Sequence, residues 1–323
     1  MECQYIKSNS ENCKYKAIHE FFDTEIEIQK NYCTRHYNQY INKEKNKEEP
    51  KEKNKEEPKE EPDIIEQIDI NNDIIIYKNI TKNIIFKYQD ISNNKNLLQY
   101  EYKLLTEVFT NHINIIKYSN YELHKKQDVT LKLDFIPISY NDLKIYNLTD
   151  IQIKNIALQL IHVMKYIHSK KYLYIDLNTS NIRFIIENSN IVVKIINFNS
   201  CIKYINNNSQ FYTNDKLPDR QGNNYYSSRN INLGYRGVRL DDIESILYIL
   251  LDLVDNAEFL KIKTLKQIGR ILNIKYGIFN HKTNNEYINN FIDLINQSIS
   301  NNDLNKDLSN RSINYNKFIK IFT

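Results

Sequence analysis

Residues 166–200 constrain the fold of this 323-residue chain more than any other stretch. They begin at the end of a helical pattern and continue into a polar loop that holds Asp176 and, five residues later, Asn181. The mostly apolar run at residues 192–196 then predicts a buried strand. The tripeptide NFN follows it at residues 197–199. This order of helix, polar loop, buried strand and polar turn restricts the folds that the chain can adopt.

The same order resembles the catalytic core of eukaryotic-type protein kinases. In that family the loop reads H-R-D-x-x-x-x-N, and a buried strand carries D-F-G at its end. Asp176 and Asn181 fall on the Asp and Asn of the loop with the spacing of the family, and Asn197 falls on the acid of D-F-G. The resemblance implies that Asp176 is the catalytic residue and that Asn181 and Asn197 belong to the cofactor site.

The residues before this core fit the small lobe of the same family. Three β-rich runs, separated by Asn-Asn-Asp and Thr-Lys-Asn, predict three antiparallel strands, and a helix follows at about 96–109. Lys87 stands where the family has its ATP-contacting lysine, and Glu101 stands where it has the helix glutamate that pairs with that lysine. The first glycine of the chain is Gly222. We therefore expect no glycine-rich loop that would cradle phosphates.

Two further stretches narrow the resemblance to the casein kinase I and vaccinia-related kinase group. Residues 131–143 (LKLDFIPISYNDL) resemble the hinge of that group. This resemblance makes Leu133 the gatekeeper and places Asp134 to Ile136 against adenine. The later stretch RGVRLDDIESILYILLDLV resembles the start of the central helix of the large lobe. There, Asp242 matches the acid that braces the catalytic loop.

Together these patterns predict an α+β chain with a bilobal protein kinase-like domain at residues 63–323. The small β-rich lobe is expected at about 63–135, and the large helical lobe at about 136–323. Further helices are expected at about 258–274 and 286–299, where apolar residues recur with helical spacing.

A cysteine-containing segment and a charged linker precede this domain. Residues 1–42 are predicted to form a small zinc module, because a C-x2-H turn can supply two of the four tetrahedral zinc ligands; the predicted ligands are Cys3, Cys13, Cys33 and His36. His19 is an alternative ligand, and three unrelated thiols are the alternative interpretation. This segment resembles the small cysteine-histidine modules near the ends of some chromatin-associated and large-DNA-virus proteins.

Residues 43–62 contain the octapeptide KNKEEPKE twice and no apolar residue, which predicts a disordered linker.

The catalytic positions depart from the pattern of the family, whereas the scaffold positions keep it. Tyr174 and Ile175 replace the His and Arg before the loop Asp, and Asn178 replaces the lysine two residues after it. Asn197 replaces the main magnesium carboxylate, and a hard dication prefers anionic oxygen to a neutral amide. We therefore expect a pseudokinase that binds a protein partner, with ATP and magnesium binding weak or absent.

Two other functions stay open. One is an active serine/threonine kinase that uses Asp176 and one metal ion at Asn181 to phosphorylate a protein substrate. In that interpretation the departures reflect an AT-biased composition, which is rich in Ile, Asn, Lys and Tyr. The other is that the zinc module is the functional part and binds protein or nucleic acid.

The composition bears on partners and on location. A net charge of +4 is too small to indicate nucleic acid or membranes by itself. No apolar run approaches the length of a membrane-spanning helix. The four cysteines, without a secretory signal, predict an intracellular, reducing compartment. The composition and the two expected modules together suggest a viral protein, located in the cytoplasm or nucleus of an infected host cell.

Overall fold

The chain is α+β, with antiparallel strands toward its amino-terminal end and helices toward its carboxyl end. The computed structural model describes residues 19–23, 28–32, 65–71, 74–92, 96–124, 128–188, 190–213, 215–219, 221–300 and 313–323. The described chain divides between Tyr88 and Gln89 into two compact units, and each is considered by itself. Outside the described residues lie the predicted linker, residues 43–62, and the predicted zinc ligands Cys3, Cys13, Cys33 and His36.

The first unit is built from antiparallel strands. β1 (His19–Asp23) pairs with β2 (Ile28–Tyr32). β3 (Ile65–Asn71) pairs with β4 (Ile74–Asn79), and β5 (Ile84–Asp90) is next to β4 in the sheet. The three strands expected after residue 63 are therefore confirmed.

The second unit begins with a helix and a hairpin. α1 (Leu97–Lys103) starts at Asn96, whose side chain accepts a hydrogen bond from the first turn, and it continues as a π-helical turn at Leu104–Val108. β6 (Tyr118–His124) and β7 (Asp128–Asp134) pair in antiparallel fashion. β7 alternates between buried and less buried positions, and its buried side chains are Val129, Leu131 and Leu133. The helix expected at about 96–109 is confirmed.

Helices are the main regular elements in the rest of the second unit. They are α2 (Tyr140–Lys144), α3 (Asp150–Ser169), α4 (Arg229–Asn232), α5 (Arg239–Leu253), α6 (Ala257–Ile262), α7 (Ile268–Asn280), α8 (Glu286–Ser300) and α9 (Tyr315–Ile319). α3 packs against α5, and nearly every residue of α5 is buried. Within the described ranges, no helix is long and apolar enough to cross a membrane.

The helix expected at about 258–274 is two helices, α6 and α7. The chain leaves the first of them at Lys263, whose Nζ reaches the buried carboxylate of Asp252 at 2.7 Å. The hydroxyl of Thr264 then donates to the carbonyl of Lys261. These two side-chain contacts favour a turn where the apolar periodicity alone predicts a continuous helix.

Short strands position the loops of the second unit. β10 (Ile182–Glu187) lies between β8 (Ile138–Ser139) and β11 (Asn190–Ile195), and all three are antiparallel. β9 (Tyr172–Leu173) pairs with β12 (Ile202–Lys203). The loop that carries Asp176 therefore joins β9 to β10, and the NFN turn joins β11 to β12.

Candidate functional site

Asp176 is held by neutral hydrogen-bond donors. Asn178 Nδ2 donates to Asp176 Oδ1 at 2.9 Å, and Asn181 Nδ2 donates to Oδ2 at 2.9 Å. The backbone of Asn223 supplies a further hydrogen bond. Burial raises the pKa of Asp176 above its usual value, while these hydrogen bonds favour the ionised form and oppose the change. All three of these hydrogen bonds come from uncharged groups.

Asn178 shapes the loop around Asp176. Its Oδ1 accepts the backbone N–H of Ser180 at 2.8 Å and so caps the 3-10 turn Thr179–Asn181. Its Nδ2 also donates to the backbone carbonyl of Asp176 at 3.0 Å. The residue that stands in place of the family lysine therefore folds back on the loop and brings no positive charge to it.

Asn197 is linked to Asp176 through Asn181. Because carboxylate oxygens accept hydrogen bonds, Asn181 turns its Nδ2 toward Asp176, where it also donates to the backbone carbonyl at 2.8 Å. Its Oδ1 then faces the other way and accepts a hydrogen bond from Asn197 Nδ2 at 2.5 Å. The two side chains at the family's metal positions are thus bonded to each other.

This arrangement does not fit a magnesium ion. Magnesium favours anionic oxygen ligands, whereas both side chains at the expected metal positions are neutral amides. In addition, the side-chain oxygen of Asn181 is already engaged by an N–H group of Asn197. In the part of the chain that the structure describes, no group of three or more His, Cys, Asp or Glu side chains could hold a metal ion.

The NFN turn is anchored on α1. The N–H of Phe198 donates to Glu101 Oε1 at 3.0 Å, and Glu101 is fully buried. The ring of Phe198 packs against Phe109, with 5.4 Å between centroids, and edge-to-face against Tyr174 at 5.5 Å. The hydroxyl of Tyr174 donates to the backbone carbonyls of Ile196 and Asn197. Tyr174, in the place of the family histidine, therefore joins the loop to the turn.

Asp242 on α5 holds the backbone that leads into Asp176. Its Oδ2 accepts the N–H of Tyr174 and its Oδ1 accepts the N–H of Ile175, both at 2.8 Å. Ile175 has a φ of +69°, which a β-branched residue rarely adopts. Such strained backbone persists only where its surroundings over-determine it. The predicted role of Asp242 as a brace is confirmed by this geometry.

Two glycines lie directly against Ile175. A Cβ on Gly222 would be 2.5 Å from Ser227 Oγ and 3.0 Å from the carbonyl oxygen of Ile175. A Cβ on Gly237 would be 2.2 Å from Ile175 Cδ1. The side chain in place of the family arginine is buried in an apolar cluster with Leu173, Tyr204 and Ile231. The segment after the NFN turn, which is polar and rich in asparagine, is therefore anchored by its few apolar residues.

The other predicted site residues are Leu133, Asp134, Ile136 and Lys87. Leu133 and Ile136 are buried, whereas Asp134 is exposed and donates its backbone N–H to the carbonyl of Lys117 at 3.2 Å. Lys87 is buried on β5, in the first unit. The second unit thus brings together four of the predicted residues, which are Glu101, Asp176, Asn181 and Asn197.

Some contributors were not predicted from the sequence. The backbone of Asn223 and Gly222 come from a segment that carries no motif of its own. Gly237 lies in the stretch RGVRLDDIESILYILLDLV, where it was given no role. From the sequence, Asn178 was identified only because it replaces the expected lysine. Asn side chains commonly accept a hydrogen bond from the backbone two residues later, in an Asx turn, as Asn178 does from Ser180. That local signal could have indicated its capping role.

The buried carboxylate of Asp241, next to Asp242, leads to a prediction of how the free energy of unfolding depends on pH. Its carboxylate accepts hydrogen bonds from Ser228 Oγ at 2.7 Å, Asn230 Nδ2 at 2.9 Å and the N–H of Val238 at 2.7 Å. Burial raises the pKa of Asp241 from 3.8 to about 7, against these donors and with help from Glu244. Between these values the folded protein holds a proton that the unfolded chain releases. The free energy of unfolding therefore falls as pH rises through this window.

We expect the wild-type chain to lose roughly 1–3 kcal/mol of unfolding free energy between pH 4 and pH 7 through this group. Asp241→Asn removes the titration and should remove that part of the pH dependence. Urea unfolding at a series of pH values measures it, and the exposed Glu258→Gln is the matched control. If the free energy of unfolding of Asp241→Asn changed with pH as steeply as that of the wild type, the prediction would be wrong.

Comparison of the sequence with protein-family models gives no match, and comparison with curated proteins gives none.

Proposed function

We propose that this protein is a degenerate relative of the casein kinase I and vaccinia-related kinase group, and that it is a pseudokinase acting by binding a protein partner. The observation that carries the proposal is the hydrogen bond from Asn197 Nδ2 to Asn181 Oδ1. It joins the two positions that would hold magnesium in an active kinase. The amide oxygen that a metal ion would need at Asn181 is thereby engaged by a hydrogen bond.

The electrostatics of the loop support the same proposal. Phosphoryl transfer depends on positioning and on neutralising the charge that develops on the transferred group. Asn178 brings no positive charge to Asp176, and Asn197 brings no carboxylate for a metal ion. Loss of one such group commonly costs about 10²–10³ in rate, and several losses combine non-additively.

The scaffold is what a binding protein needs to retain. Asp242 still holds the loop, and Glu101 still holds the NFN turn, although no chemistry follows from either contact. In this proposal residues 63–323 form one bilobal kinase-like domain. A zinc module at residues 1–42 and a charged linker at residues 43–62 precede it, inside a host cell.

The decisive test is phosphotransfer by the purified full-length protein. We expect no transfer from labelled ATP to the protein itself or to generic serine and threonine acceptors, with magnesium or manganese present. The matched control is Asp176→Asn, which should give the same background. Nucleotide binding followed across a magnesium titration adds a second measurement, and we expect weak or no binding that magnesium leaves unchanged.

Robust magnesium-dependent transfer that Asp176→Asn abolishes would overturn the proposal. It would establish the alternative, an active serine/threonine kinase that uses Asp176 with one metal ion at Asn181. If magnesium strengthened nucleotide binding but no phosphotransfer occurred, the claim that the bond between Asn197 and Asn181 prevents metal binding would be wrong. The claim that the protein lacks catalysis would still hold.

A further inference from the structure

Aromatic side chains pack the carboxyl-terminal helix α9 against the rest of the second unit. Phe318 and Phe322 are buried, and both pack against Phe291 of α8 with centroid distances of 5.4 Å. Phe322 also contacts the ring of Tyr287 at 5.9 Å. These contacts bring the first residue of α9, Tyr315, over the end of α3.

Tyr315 is the outer member of a chain of hydrogen bonds that runs to the candidate site. Its hydroxyl lies 2.5 Å from His168 Nδ1, and His168 Nε2 lies 2.8 Å from Asp242 Oδ2. Asp242 in turn accepts the backbone N–H groups of Tyr174 and Ile175. Three side chains thus connect the carboxyl-terminal helix with the residues that immediately precede Asp176.

Each ring nitrogen of His168 has one partner in this chain of hydrogen bonds. Both oxygens of Asp242 already accept backbone N–H groups, so His168 Nε2 is the N–H that donates to Oδ2. The other ring nitrogen, Nδ1, has the hydroxyl of Tyr315 as its hydrogen-bond partner. His168 is nearly fully buried, so its ring nitrogens depend largely on these two partners.

His168 also holds the segment that packs on the loop. Its backbone carbonyl accepts the hydroxyl of Tyr204 at 2.8 Å, and Tyr204 lies in the apolar cluster around Ile175. One histidine therefore contacts the carboxyl-terminal helix, the brace and the segment after the NFN turn. Movement of its ring would weaken the support that Asp242 gives to the strained residue Ile175.

We propose that α9 is a positioning element for the candidate site, and that the Tyr315 hydroxyl acts through His168 and Asp242 to fix the backbone at residues 174–176. Without the hydroxyl, Nδ1 loses this partner, and an unpaired buried ring nitrogen destabilises the ring orientation that presents Nε2–H to Asp242. The proposal concerns the shape of the loop and not its chemistry. It therefore stands apart from the question of phosphotransfer.

The test is amide hydrogen exchange of the full-length Tyr315→Phe variant, which removes one oxygen and keeps the ring. We expect the amides of Tyr174 and Ile175 to exchange roughly three- to tenfold faster than in the wild type, while core amides of α5 keep their rates. Tyr287→Phe is the matched control. It removes a hydroxyl from the same aromatic group, at 3.4 Å from Asp150 and away from His168, and should leave the loop amides within about twofold.

A second readout follows the histidine itself. In the wild type, the His168 Nε2–H should give a protected imidazole proton signal in NMR, and the signal should broaden or disappear in Tyr315→Phe but not in Tyr287→Phe. Unchanged loop exchange in Tyr315→Phe would overturn the proposal. A rise of equal size in the loop and in the core of α5 would also overturn it, because it would show only a general loss of stability.

Discussion

Replacement of Asp242 by alanine is expected to lower the free energy of unfolding by about 4 kcal/mol and to release the backbone before Asp176. The side chain of Asp242 is buried and accepts hydrogen bonds from the N–H groups of Tyr174 and Ile175 and from His168 Nε2. Each donor that is left buried without a partner costs about 1–3 kcal/mol. The strained φ of Ile175 then also loses the contacts that enforce it.

Urea unfolding followed by circular dichroism measures this loss. Asp242→Asn keeps one acceptor oxygen and the size of the side chain, so we expect it to lose about half as much. Glu258→Ala removes an exposed carboxylate, and its loss should stay below about 1 kcal/mol. A loss of that small size in Asp242→Ala would show that the brace contributes little, against the geometry of its hydrogen bonds.

Asn197→Asp is expected to make the protein respond to magnesium. The new carboxylate faces Asn181 Oδ1, and two acceptors in contact repel each other. Asn181 cannot turn its amide around without losing its two hydrogen bonds to Asp176. Without metal, the variant should therefore lose about 1–3 kcal/mol of unfolding free energy. A divalent cation between the two oxygens would relieve the repulsion and restore stability.

Thermal unfolding with and without magnesium measures this response. At ten times the dissociation constant a ligand stabilises by about 1.4 kcal/mol, which corresponds to a rise in Tm of roughly 3–6 °C for a unit of this size. The wild type should show no such rise, and neither should the control Asn199→Asp, which adds the same charge two residues later. We expect little phosphotransfer from Asn197→Asp, because Asn178 still supplies no positive charge. A magnesium response in the wild type that matches that of the variant would contradict the prediction.

The order of elements around the site could be predicted because it depends on local patterns. Alternating and apolar runs specify strands such as β4, β5 and β11, and helical spacing specifies α3 and α5. The spacing from Asp176 to Asn181 lies within one loop, so it is visible in the sequence. Asp242 was identified for the same reason, since its motif is contiguous.

What could not be predicted depends on partners that are distant in the sequence. His168 and Tyr315 are 147 residues apart, and nothing in either stretch indicates the other. The hydrogen bond between Asn181 and Asn197 was not predicted either. One residue lies in a loop and the other at the end of a strand, and the sequence does not indicate that the fold brings their side chains together. The sequence showed that the charges expected at Asn178 and Asn197 are absent, but it did not show the hydrogen bonds that these two residues form instead.

The packing around Ile175 also bears on how this loop can change by mutation. An arginine at this position would place a charged group with five N–H donors among apolar side chains, directly under Gly237 and beside Gly222. A single Ile175→Arg substitution would therefore destabilise the loop unless its neighbours changed as well. The side chain at position 175 and the two glycines thus depend on one another, so that a longer or charged side chain there requires compensating changes around it.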